Sequence, residues 1–66
     1  MIRLRLRELL VARKVSGYRL AKDAGLDLTT IYRLTRKGGR FVRIEAETID
    51  AICTVLGVEP GDLFTR

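Results

Sequence analysis

From Leu20 to Leu34 the apolar positions fall three and four residues apart, the spacing of helices that bury one face. Leu20, Ala21 and Ala24 come first, then Ile31 and Leu34. Between the two groups stand Gly25 and Asp27. The pattern predicts a helix ending near Ala24 and a second from about Leu28 to about Lys37, meeting at a sharp corner. Leu20, Ala24, Ile31 and Leu34 form the seam, and the small Ala21 lets the helices cross closely. Gly25 falls where the chain must turn left-handed, which costs a residue with a side chain about 1–2 kcal/mol. Ser16 before the first helix and Asp27 before the second are expected to cap free N–H groups. Small residue, glycine, apolar residue and cap, in that order, are the sequence form of a helix-turn-helix.

The flanking segments continue the pattern. Ile2, Leu4 and Leu6 alternate with Arg3, Arg5 and Arg7, while Leu6, Leu9 and Leu10 follow helical spacing. The segment therefore splits into a short strand at residues 2–4 and a helix from about Arg5 to Lys14. A strand needs a partner, and residues 40–44, with Phe41, Val42 and Ile44, are the best strand formers available. Gly38-Gly39-Arg40 reads as a flexible loop. Ala46 to Leu56 is an amphipathic helix with Ile49, Ile52, Cys53 and Leu56 on one face. Gly57 closes it, Pro60 opens a last short helix, and Leu63 and Phe64 are expected to fold back onto the core. The expectation is an all-α fold of five short helices, with a minor pairing of residues 2–4 and 40–44.

Ser16 to Leu34 resembles the Cro and phage-repressor (Xre-type) helix-turn-helix family. Leu20-Ala21, Gly25-Leu26, Ile31 and Leu34 match its structural positions. Thr48 to Val58 looks like that family's fourth helix and Pro60 to Phe64 like its short last one. The resemblance spans nearly the whole chain and implies a lambda-repressor-like DNA-binding domain. One departure stands out: the family often has Gln at the place of Gly17, where it commonly contacts a phosphate. That contact is absent here, or supplied by Tyr18 or Arg19.

Composition narrows the reading. Sixty-six residues suit one domain, 1–66, without a separate sensor module. One Cys excludes a disulfide framework within the chain, and the lack of His excludes zinc sites and His-based catalysis. No cofactor is implied. No apolar run reaches membrane-spanning length and no secretory signal is visible, so a cytoplasmic protein, bacterial or phage-encoded, is expected. Charge is placed unevenly. Residues 1–43 hold twelve Lys or Arg against three Asp or Glu. Residues 44–66 hold one Arg against five acids. A basic front and an acidic back suit a polyanion on one side.

The second helix of a helix-turn-helix is the one presented to the major groove of double-stranded DNA, N-terminal residues nearest the bases. Helical spacing turns Asp27, Leu28, Thr29, Tyr32, Arg33 and Arg36 outward. Arg33 is the first choice for base reading, because its fork can donate two bonds to guanine O6 and N7. Thr29 can bond a base edge or touch a thymine methyl, Leu28 can touch only the methyl, and Tyr32 can reach a base edge or a phosphate. Asp27 is assigned to capping. Phosphate candidates are Ser16, Gly17 and Tyr18 at a helix start, with Arg19, Arg36, Lys37, Arg40 and Arg43. Tyr18 suits either DNA or the domain surface. Arg3, Arg5, Arg7, Arg13 and Lys14 are as well explained by solvation, lying further round the domain. Cys53 reads as a small core residue.

These features point to a sequence-specific regulator of transcription, a repressor, binding as a homodimer to half-sites about one helical turn apart. The dimer surface would be the region Val58 to Phe64 or an edge near Arg40. The alternative is an antitoxin or another protein-interaction module of the same fold, with a toxin as protein partner. An enzyme lacks support: there is no His, no carboxylate pair in an apolar setting and no phosphate-cradling glycine motif. Few aromatic residues are available to stack on unpaired RNA bases.

Overall fold

The computed structural model describes residues 1–66. Five helices follow one another: α1 (Leu6–Arg13), α2 (Gly17–Ala24), α3 (Leu28–Leu34), α4 (Ala46–Leu56) and α5 (Pro60–Leu63). Two short strands, β1 (Arg3–Leu4) and β2 (Phe64–Thr65), bring the ends of the chain together.

Each helix starts and stops for a local reason. The Ser16 hydroxyl accepts the Arg19 N–H at 3.0 Å, which caps α2. Gly25 then takes φ 69°, and the Leu26 N–H bonds back to the Ala21 carbonyl at 2.9 Å, satisfying an orphan group of the last turn. Gly57 ends α4 in the same left-handed way at φ 66°. Pro60 occupies the first turn of α5. The Glu59 and Asp62 side chains reciprocally cap that turn, the Asp62 carboxylate accepting the Glu59 N–H at 3.0 Å. α1 ends at Lys14, which takes φ 56° although it is not glycine.

The core is one cluster. Leu4, Leu6, Leu10, Leu20, Ala21, Ile31, Leu34, Ile52, Cys53, Leu56 and Leu63 are buried, and no polar or charged residue is. Leu20, Ile31 and Leu34 form the expected seam, with Ala24 half-buried beside them. Each fully buried Leu or Ile contributes about 1.5–3 kcal/mol relative to exposure. Cys53 is one of the small core residues. Burial, followed by the nearby Asp50, Glu59 and Asp62 carboxylates, pushes its thiol above the ordinary value.

Three expectations are corrected. β1 pairs not with residues 40–44 but antiparallel with β2, Arg3 opposite Thr65 and Leu4 opposite Phe64. The reason is backbone crowding: Gly39, at φ 70°, presses its α-carbon against the Leu4 backbone with no room for a Cβ. Its N–H is already bonded to the Arg36 carbonyl at 2.9 Å, so this contact is a steric abutment and not a ladder. Gly38-Gly39 is accordingly a tight turn built into the fold. Second, α3 stops at Leu34 instead of running to Lys37. The Thr35 N–H and hydroxyl both bond the Ile31 carbonyl, at 3.0 and 2.9 Å, and Arg36 then turns extended at ψ 148°. Third, Asp27 stands at the cap position of α3 but its carboxylate makes no capping bond. The side chain is exposed and makes no ion pair, so solvent competes with the helix N–H groups for its oxygens.

Candidate nucleic-acid interface

α3 is held from behind and bare in front. Ile31 is fully buried and Leu34 nearly so, which fixes the helix against α2. Thr29, Tyr32 and Arg33 are exposed, Tyr32 by 61%. Spacing alone separates these two faces. Leu28 differs from expectation: it is half-buried and packs against the core cluster, so only part of it faces outward.

Two recesses flank α3. On one side Thr30 and Arg33 face Arg43 and the start of α4. On the other, Tyr32 and Thr35 share a groove with Arg7 and Lys14 of α1 and with Ser16 and Gly17. Gly17 has a packing reason. A Cβ there would lie 3.2 Å from Cγ2 of Ile31, so glycine lets the first turn of α2 approach α3 closely.

The other candidates lie around this ridge. Ser16 is exposed, and its hydroxyl oxygen already holds the Arg19 N–H. Tyr18 is 66% exposed and stands off the domain surface. Arg19 is committed in part: its Nε lies 3.0 Å from the Asp23 carboxylate. Arg36, Lys37, Arg40 and Arg43 are exposed and none is in an ion pair. The other ion pair, Arg5–Glu8 at 3.5 Å, is also at the surface. Arg43 shares its recess with Arg33 and with the Asp27 and Glu45 carboxylates, whereas the groove beside Tyr32 holds Arg7 and Lys14 and no carboxylate. Positive charge is therefore in excess on that flank of α3 and favours a polyanion there.

Placing Arg7 and Lys14 beside Tyr32 is the main thing the sequence did not reveal. Lys14 lies just past the end of α1 in the left-handed conformation, so helical spacing gave no sign that it and Arg7 turn together toward α3.

The comparisons with known proteins agree with this geometry. The model of the Cro/C1-type HTH DNA-binding domain matches residues 5–66. The chain belongs to that family. No curated protein matches it. Among solved structures, a candidate DNA-binding protein from Bacteroides fragilis is similar, with a TM-score of 0.81 at 20% identity. That likeness covers 98% of this chain and 100% of the other, and it shows a shared fold. As a Cro/C1-type domain the chain is a DNA-binding fold whose α2 and α3 form the helix-turn-helix. No helix is long and apolar enough to cross a membrane.

Proposed function

We propose that residues 1–66 act as one sequence-specific DNA-binding domain, a transcriptional repressor of the cytoplasm, bacterial or phage-encoded. The observation that carries this is the bare face of α3, flanked by cations that make no ion pair. Arg33, one turn on from Thr29, takes a guanine edge with its two-pronged guanidinium. Thr29 and Tyr32 read neighbouring bases, and Leu28 offers its exposed part to a thymine methyl. Ser16, Gly17 and Tyr18 meet a phosphate at the start of α2. Arg36, Lys37, Arg40 and Arg43 hold phosphates on the far side, and Arg19 does so by exchanging its Asp23 partner.

A single reading head this small buries little DNA surface, so we further propose a homodimer. Its surface would be an apolar hollow of about 520 Å³ lined by Ile2, by Phe41 and Ile44 near Arg40, and by Phe64. The Phe41 and Phe64 rings meet at a tilt of 52° with centroids 5.8 Å apart, and Val42, next to Phe41, is 99% exposed. A chain that stays monomeric at working concentration would leave this face to a different protein, such as a toxin.

The test is selection of duplex DNA from a random pool by gel shift at stated salt. A single enriched motif, two-fold symmetric with half-sites about 10 base pairs apart, is the expected result. Equal retention of all sequences would contradict sequence-specific reading.

A further inference from the structure

At the far end of α3 a small recess of about 160 Å³ opens between β1, the first turns of α1 and the Gly38-Gly39 turn. Arg3, Arg7 and Arg36 all line it. None of the three is in an ion pair. The one carboxylate on the rim, Glu8, is drawn toward Arg5 instead. Three arginines lining one recess give it a positive potential that an anion seated there would meet favourably. Their planar forks match phosphate oxygens better than a lysine would.

The recess also has a definite relation to the ridge. Arg36 lies just beyond the Thr35 cap of α3, and Arg7 lines both this recess and the groove that holds Tyr32 and Thr35. A helix seated in a major groove about 12 Å wide has sugar-phosphate strands along both flanks. We infer that Arg3, Arg7 and Arg36 form a phosphate-binding recess that grips a backbone phosphate of the duplex beyond the C-terminal end of α3. This rests on the reading that α3 enters the groove. It adds β1 and α1 to the DNA footprint and makes Arg3 and Arg7 positioning residues.

Binding of a labelled duplex carrying the selected motif, followed through a salt series by fluorescence anisotropy, tests this. Arg3→Gln/Arg7→Gln should lower the salt slope by about one unit, the share of one phosphate, and Arg7→Gln alone by less. The affinity lost between about 50 and 200 mM salt should then shrink roughly threefold for the double variant. The preferred motif should not change, and Arg3→Lys/Arg7→Lys should recover most of the slope. Both side chains are exposed, so the glutamine variants should melt within a few degrees of the parent. An unchanged slope, or a changed motif, would overturn the inference while leaving base reading by α3 intact. Failure of the parent chain to bind any duplex would instead overturn that reading itself. If inorganic phosphate shifts the Arg3 and Arg7 side-chain NMR signals while the variants keep the parental slope, the recess serves a free anion and the inference is again wrong.

Discussion

The corner from Ser16 to Leu34 and the crossing from Arg36 to Ile44 are held in opposite ways. In the corner, side chains hold the structure: Leu20 and Ile31 are fully buried, Ala21 and Leu34 almost so. In the crossing no residue is buried, and Val42 is almost wholly exposed. What holds the crossing is the close fit of Gly39 against the Leu4 backbone, together with the half-buried Phe41 and Ile44 at the margin of the core. The proposed division of labour follows this difference. A packed scaffold presents the base-reading face, and a backbone-fitted turn carries Arg36, Lys37, Arg40 and Arg43 as an adaptable cationic apron.

If packing holds the corner, Ile31→Ala should have the largest effect. It should cost about 4 kcal/mol by urea denaturation, a large part of the stability of a domain this size. If backbone room holds the crossing, Gly39→Ala should cost about 3 kcal/mol, combining left-handed strain with overpacking on Leu4. Gly38→Ala carries only the strain, about 1 kcal/mol, because open space surrounds its α-carbon. Equal costs at the two glycines would show that the Leu4 contact is unimportant.

The caps sharpen the corner further. Ser16→Ala should cost about 1 kcal/mol for the lost bond to Arg19. Asp27→Ala should cost about 0.5 kcal/mol, the helix-dipole share alone, since no capping bond is present.

The smallest effect is that of Cys53. Its raised value means that the unfolded chain gives up the thiol proton before the folded one does. Stability from this source is complete below the ordinary thiol value and is lost as pH rises through the folded value. The stability difference between parent and Cys53→Ala should therefore narrow in the alkaline range.

Much of this architecture was legible because its causes are local. Helical spacing, Gly25, Gly57, Pro60 and Ser16 act over a few residues, and they set α2, α4 and α5 and the inner face of α3. The misreadings all involve competition at a distance or at a helix end. The Arg40–Ile44 segment has good strand formers, but strand pairing is decided by which backbone can reach β1, and Gly39 blocks one side while Phe64 arrives on the other. The end of α3 turns on a Thr35 hydroxyl that helix propensity does not register. At the candidate site, the exposed set Thr29, Tyr32 and Arg33 was readable from period alone, whereas Arg36 is exposed but lies beyond the end of α3. The approach of Arg3 and Arg7 to Arg36 was not, because it depends on how α1 is docked.

The central claim is that α3 reads base edges through Arg33. Repeating the duplex selection with Arg33→Ala tests it most directly. The account predicts that one base position per half-site loses its preference, a discrimination of roughly 1–3 kcal/mol, while the other positions and the salt slope beyond about one unit stay as they were. An enriched motif identical to that of the parent chain would contradict it.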